Sequence, residues 1–215
     1  MVESSLPISV DDVARHYDQL DGFYREIWGE HVHHGLWETG SESSYEAVRA
    51  MSHLVAIKAA LVPGAEVCDL GCGYGGTSRL LADEYGARVT GLTVSPAQQR
   101  YAVDVTRTPG NPSYLVEDWM CNQRPDAVFD ALVAIESTEH MADKARVFSE
   151  VARVLKPGGR MVVCAWLAGE APKPGRCGIW WSPYVARAGF LPWGRRKTMW
   201  PGWSRRVLRY GSDWM

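Results

Sequence analysis

VCDLGCGYGG, residues 67–76, places Asp69 and four glycines within ten positions. A short apolar run, Glu66–Leu70, leads into it. A helical pattern, Thr77–Tyr85, follows and stops at Gly86. Gly71, Gly73 and Gly76 therefore complete G-x-G-x-x-G between a strand and a helix, which is the context that gives this motif meaning. Removing Cβ atoms there lets backbone N–H groups approach a ligand at the helix N-terminus. A tight turn that held nothing would need fewer glycines.

The alternation continues downstream. Arg88–Val94 reads as a strand, and Pro96–Val105 as a helix opened by Ser95. Ser113–Val116 and Val128–Ile135 read as the third and fourth strands. Lys144–Leu155 reads as a helix stopped by Pro157-Gly158-Gly159, and Arg160–Leu167 as the fifth strand. Strands alternating with helices predict an α/β fold, a doubly wound and mostly parallel sheet with right-handed crossovers. Upstream, Ser9 and Asp12 form a helix-start signature before Val10–Trp28, which carries Val13, Tyr17, Leu20, Tyr24 and Ile27 at helical spacing. HVHHGLWE, 31–38, is a loop. Ser43 or Ser44 caps a second helix to about Leu61, its apolar face formed by Val48, Met51, Leu54, Val55 and Ile57, and Pro63-Gly64 ends it. The expected organisation is an N-terminal helical cap (1–62), a ligand-binding sheet domain (63–170) and a tail of different character (171–215).

The 215 residues are 46% hydrophobic and 22% charged with a net charge of −2, values of a globular protein with a sizeable core. This balance does not predict a nucleic-acid binder. No apolar run approaches the roughly 20 residues of a membrane span. The first residues are acidic where a secretion signal is basic. A cytoplasmic location is therefore expected. The five cysteines (Cys68, Cys72, Cys121, Cys164, Cys177) form no C-x-x-C pair and are expected to be free thiols rather than metal ligands. His31, His33 and His34 have poor ligand spacing and are expected to hydrogen-bond around the site.

A dinucleotide site usually carries an acid after the second strand, about 20 residues on, for the ribose hydroxyls. Thr93 stands there. The acid is instead Asp69, two residues before Gly71, where a carboxylate repels a pyrophosphate and suits a ligand with an amino group and a sulfonium cation. A nicotinamide-dependent oxidoreductase is disfavoured on both counts.

Four stretches, YDQLDGFYREIWGEHVHHG (17–35), CDLGCGYGGTSRLLADEYGARVTGLTVSPAQ (68–98), ESTEHMADK (136–144) and LKPGGRMVVCAW (155–166), resemble the class I S-adenosylmethionine-dependent methyltransferases. The resemblance is strongest to the gamma-tocopherol methyltransferase group and its bacterial small-molecule relatives. It implies a Rossmann-like sheet and S-adenosyl-L-methionine as cofactor. It also implies a small-molecule acceptor, phenolic or prenyl-bearing, methylated at carbon, with oxygen or nitrogen as the alternatives. By the same resemblance, Asp69, Gly71 and Gly73 contact the methionine part of the cofactor. Thr93 and Gln98 lie near the ribose, Asp118 near adenine with Trp119 beside it, and Tyr17 closes over the cofactor. The faces of Tyr17, Trp28 and Trp37 are candidate walls for a cation, and such a contact stabilises by about 0.5–2 kcal/mol. His34 and Glu136 complete the expected cofactor set.

ESTEHM follows the fourth strand at the carboxyl edge of the sheet, where ligands of such sheets bind. Glu136 and His140 are four apart and would meet if the segment turned helically. They are the candidate catalytic pair, accepting a proton from a phenol or an electron-rich carbon while donor and acceptor are held at about 3–3.5 Å.

From Arg176 the chain holds six of its ten tryptophans, eight Lys or Arg and only Asp213 as an acid. It has no clear period. The family continues past the fifth strand with a substrate-covering segment and two further strands. The Trp-rich codons around Ile179–Pro183, read one base back, can spell a sequence of the family's own kind. A frameshifted C-terminus is therefore expected, with the sheet incomplete at that edge and turnover impaired, leaving a cofactor-binding remnant as the alternative function. The coding DNA checks this directly. A basic, aromatic nucleic-acid or membrane patch is the weaker reading, because no amphipathic period is present.

Overall fold

A computed structural model describes residues 9–168 and 179–187. The order is α1 (Val10–Gln19), α2 (Asp21–Trp28), α3 (Ser44–Ala59), β1 (Glu66–Leu70), α4 (Gly76–Tyr85), β2 (Arg88–Thr93), α5 (Pro96–Val105), β3 (Ser113–Val116), β4 (Phe129–Ile135), α6 (Lys144–Val154), β5 (Leu155–Ala168) and β6 (Ile179–Arg187). The sheet runs β3-β2-β1-β4-β5-β6. Its first five strands are parallel, and β6 pairs antiparallel with β5 from Arg160↔Arg187 to Ala168↔Ile179. Strand order reverses between β1 and β4, which opens a crevice at their carboxyl ends.

Two helix layers cover the sheet. Alternate residues feed opposite faces, as a period of two requires. Val67, Val89, Ala131 and Val133 pack with Met51, Val55 and Leu81 on the α3/α4 side. Cys68, Leu70, Leu132 and Ala134 pack with Val147, Val151 and Val154 of α6 on the other. Cys68, Cys72 and Cys164 are buried free thiols and Cys121 is exposed; Cys177 lies outside the described residues.

Both expected helix starts are present as reciprocal capping boxes, Ser9 with Asp12 and Ser43 with Glu46. Three expectations need correction. The first helix breaks at Leu20 (φ −102°, ψ 13°) into α1 and α2. Ile57 is 65% exposed, and alanines 47, 56 and 59 fill the buried face of α3 instead. The sheet gains β6, one of the two further strands the resemblance implies, so its edge is less open than expected; the composition of β6 carries no period of two, so the strand is defined by its partner. The rest of the Trp- and Arg-rich tail, and with it most of the segment expected to be out of frame, lies outside the described residues.

Candidate active site

The glycine turn sits at the carboxyl end of β1 and spends most of its donors internally. Gly71 and Cys72 both donate to the Leu92 carbonyl at 2.9 Å, Gly75 donates to Cys72 at 2.9 Å, and Gly76 donates to Glu30 at 3.2 Å. The turn therefore offers a ligand bare Cα surface more than a nest of N–H groups, contrary to the expected N–H cradle. Gly71 has φ +77°, and a Cβ there would lie 2.3 Å from Ser137 Cβ. Ser137 fixes that approach by donating to the Leu70 carbonyl at 2.5 Å.

Beside the turn lies an open cleft of about 750 Å³, its mouth included. Gly71, Gly73, Thr93, Gln98, Asp118, Trp119, Tyr17, Glu136 and His140 all border it. Thr93 and Gln98 are buried, with the Thr93 hydroxyl donating to Gln98 Oε1 at 2.7 Å. Asp118 caps the turn Trp119–Cys121 by accepting from the Met120 N–H. Trp119 is a core residue whose indole N–H donates to the Val147 carbonyl at 3.1 Å, so it can border the cleft only in part.

Several expected residues lie elsewhere. Asp69 shares strand parity with Val67, so it faces the α3/α4 layer and not the main cleft. It borders a small chamber behind the turn with His31, His33, Thr77, Gly71 and Gly73. There it accepts from Ser78 at 2.6 Å, and burial pushes its pKa up to about 6. Trp28 and Trp37 do not border the cleft. Trp28 packs edge-on against His34, and Trp37 donates to the Glu42 carbonyl. His34 is half exposed and meets the site by bonding Glu136, which borders the cleft.

Glu136 and His140 do not form one helical pair. Glu136 has φ +50°, and a 3₁₀ turn, Thr138–His140, follows. The Glu136 carboxylate instead receives the His34 N–H at 3.1 Å and His34 Nδ1 at 2.8 Å. His140 Nε2 lies 3.1 Å from the Tyr17 hydroxyl, which comes from α1. Burial pushes Tyr17 up to about 12, keeping it protonated and able to donate. Desolvation at the cleft wall holds His140 below the usual imidazole value. Two acid–base groups thus face one cleft, each oriented by the N-terminal cap. Among the described residues, no cluster of His, Cys, Asp or Glu is placed to hold a metal.

The sequence missed how the cap is fastened. Asp18 accepts from Ser95 Oγ at 2.5 Å and from the Ala97 N–H at 3.1 Å, tying α1 to the start of α5. Tyr74, fully buried, donates to the Asp21 carbonyl at 3.1 Å, tying α2 to the glycine turn. Val10, Val13, Val32, Met120 and Met141 add an apolar wall. A helical spacing of Val10, Val13 and Tyr17 carried part of that signal.

The geometry agrees with what this chain is similar to. It is 40% identical over 166 residues to 2-methyl-6-phytyl-1,4-hydroquinone methyltransferase of Synechocystis, covering 74% of this chain and 52% of that protein. It is 34% identical over 169 residues to tocopherol O-methyltransferase of Arabidopsis thaliana, covering 72% and 49%. The chain spans about half the length of these curated relatives. Among solved structures, the [4+2]-cyclase SpnF matches with a TM-score of 0.73 and 32% identity over 80% of this chain and 66% of that one. Mycolic acid cyclopropane synthase CmaA1, complexed with SAH and CTAB, matches with a TM-score of 0.68 and 26% identity over 77% and 60%. Residues 5–192 match one family description, and on that match the chain belongs to the mycolic acid cyclopropane synthetase family.

Proposed function

We propose that this chain is an S-adenosyl-L-methionine-dependent methyltransferase acting on a small-molecule acceptor of phenolic or prenyl character. The observation that carries the reading is the internal use of the Gly71, Cys72, Gly75 and Gly76 N–H groups. A turn whose donors are already engaged is a poor pyrophosphate cradle, and a buried carboxylate behind it, Asp69, favours a cation. The names of the similar proteins, phytyl-hydroquinone and tocopherol methyltransferases, point the same way.

In this reading Gly71 and Gly73 form a wall without side chains for the methionine part. Thr93 and Gln98 flank the ribose, and Asp118 lies toward the adenine. The bound donor supplies a methyl group on a sulfonium sulfur, displaced in line with loss of the thioether. The protein's share is to exclude water, align the acceptor and accept a proton. His140, kept neutral by desolvation, and Glu136, held by His34, are the proton acceptors assigned here. Tyr17 closes the mouth, its hydroxyl 3.1 Å from His140 Nε2. The apolar wall of Val10, Val13, Met120 and Met141 suits an aromatic or prenyl body. No helix among the described residues is long and apolar enough to cross a membrane. The free thiols agree with a reducing, cytoplasmic location.

The test is transfer of a labelled methyl group to a panel of phenols, prenylated hydroquinones and small amines. Label in a phenolic or prenylated product is expected. Donor binding with no label in any product would make the chain a cofactor-binding protein without turnover.

A further inference from the structure

Glu136 leaves β4 in a left-handed backbone conformation and is 9% exposed. Its orientation is set by His34, and His34 is itself held from behind. His33 is buried, and its Nδ1 donates to the His34 carbonyl at 2.8 Å. That bond fixes the tautomer, leaving His33 Nε2 as an acceptor. Nε2 receives the Thr77 hydroxyl at 3.3 Å, and Thr77 lies 2.9 Å from the hydroxyl of Ser52, also fully buried. His31 Nδ1 lies 3.3 Å from the same His33 nitrogen. The chain of contacts runs from α3 through the first turn of α4 to the cap loop and on to Glu136.

We propose that Thr77 and His33 are positioning residues that set the Glu136 carboxylate through His34. This rests on the reading of Glu136 as a residue that faces donor or acceptor. Ser52, Thr77 and the buried His33 are uncharged links, so they hold their geometry in a desolvated place where a charged link would be costly. It also couples the cap to the glycine turn: Thr77 follows Gly76, whose N–H donates to Glu30 in the same cap loop. Through these contacts the placement of the cap loop bears on the placement of the Glu136 carboxylate.

Long-range ¹H–¹⁵N spectra of the full chain test this without turnover. Wild type should show His33 as the Nδ1–H tautomer. Thr77→Val should move the His34 ring resonances, although residue 77 bonds His33 and not His34, and Thr77→Ser should restore them. Should Thr77→Val fail to fold, His33→Asn serves: its amide keeps the donor toward His34 but loses the link to Thr77, and the same His34 shifts are expected. In calorimetry with S-adenosylhomocysteine, Thr77→Val should weaken binding by about tenfold, a coupling of usual size. Thr77→Val/Glu136→Gln should bind no more weakly than Glu136→Gln. Unchanged His34 resonances, or fully additive losses, would overturn the relay. A wild type that binds no S-adenosylhomocysteine would count against the proposed function, while the spectra still decide the relay.

Discussion

Gly71 and Ser137, from opposite sides of the strand-order reversal, approach so closely that a methyl group on Gly71 would lie 2.3 Å from Ser137 Cβ. Gly71 also has φ +77°, which L side chains adopt at a cost of about 1–2 kcal/mol. Gly71→Ala should therefore lower unfolding free energy by about 3 kcal/mol or more and abolish binding at the cleft. Gly22→Ala is the control: nothing lies within 4 Å of its Cβ position in α2. It should stabilise by about 0.5–1 kcal/mol. Urea unfolding of both variants is the measurement.

Burial of Asp69 costs the fold stability wherever the carboxyl must ionise. Burial raises its pKa from 3.8 to about 6. The folded state therefore binds more protons than the unfolded chain between those values, and the fold loses stability as pH rises through that window. Asp69→Asn should stabilise the ligand-free protein by about 1–3 kcal/mol above pH 6. The gain should shrink toward pH 4. The same variant should bind S-adenosylmethionine at least about tenfold more weakly, because it removes the buried anion. Gains in both stability and affinity would contradict the role given to this carboxylate.

His31 runs the other way. Burial lowers its pKa from 6.5 to about 3. Below pH 6.5 the unfolded chain takes up a proton that the fold refuses, so the stability this residue confers is full above 6.5 and falls toward pH 3. Its share changes by up to about 1.4 kcal/mol per pH unit. Because Asp69 and His31 oppose each other between pH 4 and 6, wild type blends the two. The difference in unfolding free energy between wild type and His31→Gln should shrink steadily from pH 6.5 to 4.

Tyr17 and His140 should be separable by pH. Turnover should rise with pH as His140 becomes neutral, with a midpoint below 6.5. His140→Gln should remove that limb and lower kcat by about 10²-fold or more. Tyr17→Phe should keep the limb, since Tyr17 only partners the ring, and chiefly raise KM. A pH profile unchanged in His140→Gln would remove His140 from the chemistry.

Much of the fold is legible in punctuation. Glu66–Leu70, Pro96–Val105 and Ser113–Val116 have the boundaries the sequence predicts, since Pro, Gly and Ser mark their ends. The break at Leu20 is not legible, because an apolar residue at helical spacing gives no stop signal. Nor is β6, whose strand character is supplied by β5. Within the site, Thr93 and Gln98 border the cleft and bond each other at the end of β2, a position the strand boundary makes legible. The facing of Asp69 could have been read from its parity with Val67. The Glu136–His140 pairing failed for a local reason: Glu136 is left-handed and the turn that follows is a 3₁₀ turn beginning at Thr138, so the α-helical spacing of four lost its meaning. The His33–Thr77 contact joins distant segments and has no local signature at all.

Equilibrium binding tests the central claim most directly. Calorimetry of the purified chain against S-adenosylmethionine, S-adenosylhomocysteine and NAD should give saturable one-to-one binding of the first two and none of the third. The first two should be weakened in Asp69→Asn and Gln98→Ala. Saturable binding of NAD with no response to either sulfur compound would contradict the account.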